Sequence, residues 1–207
     1  MKRWMVIWLA LAIAPAWAGE LGTDLARIQH RWAEIQYQLP EGDRERAFEA
    51  LEKEAEALVA AYPNQAEPRV WHGIVLSTYA GAKGGLGALG LVKRARQSLE
   101  QSLDLDATAL DGSAYTSLGS LYYQVPGWPL GFGNADKARE YLRKALEINP
   151  NGIDANYFYG DFLVEQGEPE RARDYLTKAL KAPDRPGRSL ADAGRREEVR
   201  RKLESLK

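Results

Sequence analysis

Residues 85–90 form a glycine pattern that resembles a nucleotide-binding loop. Their sequence, Gly-Leu-Gly-Ala-Leu-Gly, matches the G-x-G-x-x-G spacing of dinucleotide-binding loops. Such a loop needs a preceding β-strand, so that the pyrophosphate rests on the N-terminus of the following helix. Here an apolar pattern of helical period precedes the glycines, and no Gly-Lys-Ser/Thr follows them as a P-loop requires. The sequence therefore predicts no nucleotide site.

A second stretch has the spacing of calcium ligands. Asp104, Asp106 and Thr108 match the first three ligand positions of a twelve-residue calcium loop. Ala109 stands where that loop needs a glycine for its sharp turn, and Tyr115 stands where it needs a bidentate glutamate. We therefore interpret these residues as a connector between helices, not as a metal site.

Residues for acid–base or nucleophilic catalysis are scarce in this chain. The sequence has two histidines, His30 and His72, which fall in different predicted helical units, and it has no cysteine. Each histidine is predicted to pack or to face solvent. No nucleophile, base and orienting group can be assembled from cysteine, and a serine triad would have to recruit one of these two histidines. Glu165, Glu168 and Glu170 flank the turn at Gly167 and are interpreted as ordinary capping and surface charge. We predict a non-enzymatic protein with no cofactor and no metal site.

A repeated pattern of small and large residues dominates residues 111–181. Gly160, Ala172 and Ala179 are 12 and 7 residues apart, and bulky side chains lie between them. The same pattern occurs 34 residues earlier, at Ala138 and Ala145. Small residues let two helices approach closely while large ones fill the space beside them. Each copy therefore predicts two antiparallel helices joined by a turn, and Gly167 marks that turn in the second copy.

This pattern resembles the tetratricopeptide repeat (TPR), a helix–turn–helix unit of about 34 residues. The resemblance implies an all-α, TPR-like helical-hairpin solenoid, since one hairpin alone cannot bury its apolar face. The predicted domain, residues 19–207, has about four hairpins and a C-terminal capping helix. The hairpins are predicted at about residues 21–63, 66–107, 111–150 and 153–182, and the capping helix at residues 189–206.

Two turns inside hairpins are longer than the repeat requires. They are predicted at residues 81–90 and 125–133, and both are rich in glycine and apolar residues. Insertions in a solenoid often lie on its binding face. The alternative is that each loop only packs over the end of its hairpin.

The N-terminal 18 residues have the features of a secretory signal peptide. Lys2 and Arg3 precede an apolar run, and Ala16-Trp17-Ala18 forms an Ala-x-Ala cleavage site. We expect a protein exported to the bacterial periplasm, although an uncleaved anchor is an alternative. The absence of cysteine excludes a lipid-anchored lipoprotein. Cleavage leaves 26 basic and 29 acidic residues, a formal net charge of −3, which does not favour nucleic-acid binding.

The last predicted helix begins after the loop at residues 182–188 and carries several basic residues. A basic amphipathic helix can contact an anionic membrane. Glu197, Glu198 and Glu204 are interspersed among these basic residues, and they favour a solvated capping helix instead.

In TPR proteins the first helix of each hairpin lines the concave face. Carried over by register, this implies an inner surface that contains an aromatic and acidic patch. The positions are Ser113, Thr116, Ser120 and Tyr123 in one hairpin and Asp154, Tyr157, Asp161 and Val164 in the next. The candidate binding residues are Tyr123, Trp128, Phe132, Asn156, Tyr157 and Asp161. For Tyr123, Trp128 and Tyr157, a packing role is an equal alternative.

Residues 111–115, 125–133 and 156–162 also look like the TatT-type periplasmic proteins associated with TRAP transporters. That resemblance implies a ligand-accessible cavity and a transporter substrate-binding protein as partner. Two hypotheses follow. One is a scaffold that grips a peptide segment or another periplasmic protein, as an accessory to solute transport. The other is a small-ligand carrier whose Trp128 turn closes over an apolar pocket. Membrane contact through the two long turns ranks third.

Overall fold

The computed structural model describes residues 17–206, with side chains from Glu20 onward. The regular elements of this part are all α-helices, which confirms the predicted fold class. The predicted signal peptide lies outside the described residues except for its last two, where the first helix begins. No described helix is both long and apolar enough to span a bilayer. The helices are α1 (Trp17–Tyr37), α2 (Glu41–Ala61), α3 (Ala66–Lys83), α4 (Ala88–Leu105), α5 (Ala109–Gln124), α6 (Ala135–Ile148), α7 (Ile153–Glu165), α8 (Pro169–Leu180) and α9 (Ser189–Glu204).

Close helix crossings inside three hairpins explain the recurring glycines. At each crossing, a glycine of the first helix lies directly against a leucine of the second. A Cβ atom added at the glycine would lie only 2.5–2.8 Å from the leucine Cγ atom. Glycine is therefore required for the helices to approach this closely. The three pairs are Gly73 with Leu99, Gly119 with Leu142, and Gly160 with Leu176.

Local boundaries differ from the prediction at three places. The first long turn is short in the structure, because α3 continues to Lys83 and α4 starts at Ala88. The sequence predicts Asp43 as the cap of α2, but that helix already starts at Glu41, after Pro40. It also predicts Ser189 as the cap of the last helix, and Ser189 is instead the first residue of α9.

The inner helices form a closed ring. Each of α1, α3, α5 and α7 packs against the next, α9 packs against α7, and α9 also packs against α1. The other helices, α2, α4, α6 and α8, form an outer layer against this ring. Gly194 of α9 lies so close to the Tyr37 ring that a Cβ atom there would collide with it. The last helix is therefore more than a solvated cap, since it joins the two ends of the solenoid.

The start of α5 is not regular helix. Leu110, Asp111 and Gly112 have φ values of 50°, 56° and 74°, which is the left-handed region. Regular α-helix follows from Ser113. Residues spaced by three or four positions then share one face of the helix. This places Ser113, Thr116, Ser117 and Ser120 together on the face that looks into the ring.

A candidate binding cavity inside the helical ring

The ring encloses a cavity of about 410 Å³. Its walls come from α1, α2, α3, α5, α7 and α9 and from the loop before α9. The wall is mixed in character, with aromatic rings, hydroxyl groups and charged side chains. Aromatic or apolar residues include Trp32, Phe48, Trp71, Ile74, Tyr157 and Phe158; polar ones include Ser77, Thr78, Ser113, Thr116, Ser117, Ser120 and Gln124; charged ones are Glu41, Arg44, Asp154, Arg185, Arg188, Arg195 and Glu198.

The register carried over from the repeat places most of the expected inner residues on this wall. Five of the eight positions line the cavity, namely Ser113, Thr116, Ser120, Asp154 and Tyr157. The other three, Tyr123, Asp161 and Val164, lie one or two turns further along their helices and are not part of the wall. The inner face thus follows the repeat at five of these eight positions.

Asp154 holds the C-terminal helix in place through two arginines. Its Oδ2 atom lies 2.6 Å from Arg185 Nη1, and its Oδ1 atom accepts a hydrogen bond of 2.7 Å from Arg195 Nε. Arg185 also pairs with the buried Asp192 at 2.6 Å, and Arg195 pairs with Glu198. Burial alone would raise the pKa of Asp154, but the two guanidinium groups hold it well below its usual range. This ionic cluster joins α7 to the loop and to α9.

Tyr157 is the one predicted binding residue that lines the cavity. The Arg195 guanidinium lies over its ring at 4.5 Å and over the Phe158 ring at 4.7 Å. Burial raises the pKa of the Tyr157 hydroxyl to about 12, so it stays protonated at neutral pH. It is therefore available as a hydrogen-bond donor at the cavity wall.

Three other predicted residues make contacts within the fold. The Tyr123 hydroxyl donates a hydrogen bond of 2.6 Å to Asp161 Oδ2, and Lys202 of α9 pairs with Asp161 Oδ1 at 2.6 Å. Asn156 is 0% exposed, and its amide donates to the carbonyls of Pro150 and Gly152. The structure thus joins Tyr123 to Asp161 as expected, but as a link between α5, α7 and α9. Their role in binding stays a prediction.

The turn with Trp128 and Phe132 lies apart from the cavity wall. Trp128 is 91% exposed, whereas Phe132 packs edge-on against Tyr122 at 5.3 Å. The Arg96 guanidinium covers the Phe132 ring at 4.5 Å. Neither residue contributes to the cavity, so the hypothesis that the Trp128 turn closes over a pocket there has no support in this geometry.

Trp71 and the arginines of the loop before α9 are wall residues that the sequence did not single out. Arg188 lies over the Trp71 ring at 4.9 Å. Both side chains also line a second cavity of about 390 Å³, together with Asp111, Asp184 and Pro186. The sequence shows an arginine-containing loop before the last helix. It does not reveal that this loop lies against the cavity.

His72 belongs to a polar cluster between α2, α3 and α4, outside the cavity walls. Its Nε2 atom lies 3.3 Å from Glu52 Oε1, and its Nδ1 atom lies 3.2 Å from Ser98 Oγ. Glu52, Glu56 and His72 are close enough to share a cation. Arg94 already pairs with Glu52 at 2.5 Å and with Glu56 at 3.2 Å, so a metal ion would have to displace a guanidinium group.

We expect the stability of the protein to fall as pH drops below about 6.5. Burial lowers the pKa of His72 below its usual value of 6.5, so the unfolded chain takes up a proton more readily than the folded protein. The resulting slope reaches at most about 1.4 kcal/mol per pH unit. Urea unfolding between pH 7.5 and about pH 5.5 measures it, above the range in which most carboxylates titrate. His72→Gln should flatten the slope, and the exposed His30→Gln should retain it; an equal slope in wild type and His72→Gln would contradict the assignment.

Comparison with known proteins agrees with this architecture. Residues 130–198 match the family model described as tetratricopeptide repeat. A stretch of 81 residues, 39% of this chain, is 36% identical to the type IV pilus assembly protein PilF of Pseudomonas aeruginosa. The chain covers 29% of the length of that relative.

One solved structure shows the same kind of fold. A thermophilic TPR protein of Thermus thermophilus matches with a TM-score of 0.60 and 20% identity, over 89% of this chain and 80% of that one. Two crystal structures of MamA are 22% identical to this chain, with TM-scores of 0.43 and 0.42. They match over 81% and 91% of this chain and over 93% and 91% of their own chains. The paired helices and the fold shared with the Thermus protein show that the chain has an all-α, TPR-like helical-repeat fold, and residues 130–198 are similar to the tetratricopeptide repeat.

Proposed function

We propose that this protein is a non-enzymatic scaffold whose inner cavity binds a segment of another polypeptide. A TPR fold suggests protein–protein interaction. The observation that carries the proposal is the cavity wall, which offers aromatic rings, hydroxyl groups and arginines in one half-open space. Aromatic residues and arginine are the side chains that contribute most to protein recognition.

The proposed setting is the bacterial periplasm, and the proposed partner is another periplasmic protein or a peptide segment of it. The signal-peptide pattern of residues 1–18 supports the location. A transporter substrate-binding protein is the partner that the TatT-type resemblance suggests. The similarity to PilF, a pilus assembly protein, also favours a role in protein assembly, although it concerns 81 residues.

A small-ligand carrier is the second candidate, and the size of the cavity favours it. Pockets for small molecules usually measure about 300–1,000 Å³ and bury most of their ligand. The volume of about 410 Å³ falls within that range. A carrier of this kind would use the cavity itself, since the exposed Trp128 turn lies apart from it.

Photocrosslinking from a single cysteine distinguishes these candidates. The sequence has no cysteine, so one introduced residue carries the only label. Gln124 lines the cavity and is exposed, which places it at the cavity mouth. We expect Gln124→Cys, labelled with a benzophenone, to capture a polypeptide in cells that produce the protein at native level. The matched control is Asp174→Cys on the exposed surface of the outer helix α8.

Each result decides between the candidates. Capture of a defined polypeptide from position 124 but not from position 174 supports the scaffold. Capture of a small molecule alone, seen as a mass increase of the intact protein, supports the carrier. Equal capture from both positions, or no capture from either, would contradict binding in the cavity.

A further inference from the structure

Arg188 differs from the two neighbouring arginines of the cavity. Arg185 and Arg195 each pair with two carboxylates. Arg188 forms no ion pair with any residue of the described chain, and its buried Nε atom has no hydrogen-bond partner there. Asp154 and Asp192 are near enough to raise the pKa of Arg188, but both carboxylates are hydrogen-bonded to Arg185. A half-buried guanidinium without a carboxylate partner is unfavourable unless something else compensates its charge.

Burial and the neighbouring Arg185 lower the pKa of Arg188 from its ordinary value. Arginine nevertheless stays protonated in proteins at neutral pH. The positive charge therefore remains in the wall, and the contact with the Trp71 ring compensates it only in part.

The arginines of the cavity wall differ in their partners. Four arginines line it, at positions 44, 185, 188 and 195. Arg185 and Arg195 are paired with carboxylates, including Asp192 for Arg185. Arg44 is directed to the Leu39 carbonyl by a hydrogen bond of 3.0 Å. Arg188 is thus the cation inside the wall that is oriented only by an aromatic ring.

Hydroxyl groups on α5 line the same space. Thr116 borders both cavities together with Arg188, and Ser117 and Ser120 border the larger one. Within residues 20–206, none of these three hydroxyls takes part in a hydrogen bond with another described group. Each can donate one hydrogen bond to an oxygen atom of a bound molecule.

We propose that Arg188, held against Trp71, anchors a carboxylate of the bound molecule, with the Thr116 hydroxyl as a second donor. This inference rests on the proposed binding function of the cavity and specifies the chemistry of its ligand. The planar guanidinium matches a carboxylate with two parallel N–H groups. The carboxylate has two possible sources, the C-terminus of a polypeptide segment or a free monocarboxylic acid.

Affinity selection with defined pools tests the subsite. The probes are a random hexapeptide pool with free C-termini, the same pool with amidated C-termini, and a panel of linear and aromatic monocarboxylic acids with their amides. Mass spectrometry identifies what the purified protein retains. We expect the carboxylate forms to be retained at least tenfold better than the amides, because an amide cannot form the charge-assisted bidentate contact with the guanidinium group.

Four variants test the role of the side chain itself. Arg188→Gln should lose the preference for carboxylates, Arg188→Lys should keep part of it, and Thr116→Val should weaken it while preserving shape. Arg143→Gln is the matched control, since Arg143 is exposed on α6 and has no ion pair within the described chain. Far-UV circular dichroism establishes that each variant is folded. Because Arg188 has no carboxylate partner, its variants should unfold at nearly the wild-type temperature.

The outcomes separate this subsite from the proposed function. Retention of free-acid peptides, lost in Arg188→Gln, supports the subsite with a polypeptide source. Retention of small acids with the same dependence supports it with a metabolite source. Equal retention of free and amidated peptides, unchanged in Arg188→Gln, would overturn the subsite and leave polypeptide binding intact. Retention of nothing from any pool would overturn the subsite, and crosslinking from position 124 then decides the proposed function independently.

Discussion

Replacing Asp154 with alanine should lower the free energy of unfolding by about 2–3 kcal/mol, because it removes one of the two carboxylates that pair with each of two partly buried arginines. Arg185 and Arg195 both bind this carboxylate. Urea denaturation followed by circular dichroism measures the loss. Hydrogen exchange should also increase in α9, since Asp154 joins that helix to α7.

A surface ion pair in the same region provides the control. Asp184 pairs with Arg196 at 2.7 Å, and its side chain is 83% exposed. Asp184→Asn should therefore change stability by less than about 1 kcal/mol. Equal effects of the two substitutions would mean that the Asp154 cluster does not hold the ring closed.

Acid should reproduce the effect of removing the Asp154 charge. The pKa of Asp154 is lower in the folded protein than its ordinary value of 3.8. Its contribution is therefore complete above about pH 3.8 and is lost as pH falls through the folded pKa. Asp154→Ala should accordingly lose less of its remaining stability than wild type when the pH is lowered through this range.

Replacing Gly119 with valine should lower the free energy of unfolding by about 1–3 kcal/mol through overpacking. A Cβ atom at this position lies 2.5 Å from Leu142 Cγ and 3.2 Å from the backbone nitrogen of Leu142. The leucine side chain can rotate, but the backbone of α6 must move away. Thermal or urea unfolding measures the change.

Gly22, unlike Gly119, is a helical glycine with free space around it. A Cβ atom there has no neighbour within 4 Å, and the residue is exposed inside α1. Gly22→Ala should stabilise the protein by up to about 1 kcal/mol, because alanine is the better helix former. Returning to Gly119, a Gly119→Val variant as stable as wild type would contradict the close crossing of α5 and α6.

The sequence determined the repeating unit of this protein. Gly119, Ala138 and Ala145 recur 34 to 41 residues later as Gly160, Ala172 and Ala179, and this local pattern predicts which helices pair. The prediction succeeded because small and large residues fix a helix crossing within one hairpin. The TPR resemblance implied that Ser113, Thr116 and Tyr157 lie on the inner face, and all three line the cavity.

Only the tertiary structure decided that the solenoid closes. The contact of Gly194 with Tyr37 joins α9 to α1 across more than 150 residues of chain, and no repeat pattern encodes it. Closure brings Arg188 and Arg195 from the end of the chain to Trp71 and Tyr157. In the sequence these arginines lie in a loop and a charged helix, where a solvated role is the ordinary expectation. Whether these arginines are buried depends on the curvature of the whole solenoid. Each hairpin adds a small rotation to that curvature, so small differences in the turns decide where the last helix lies.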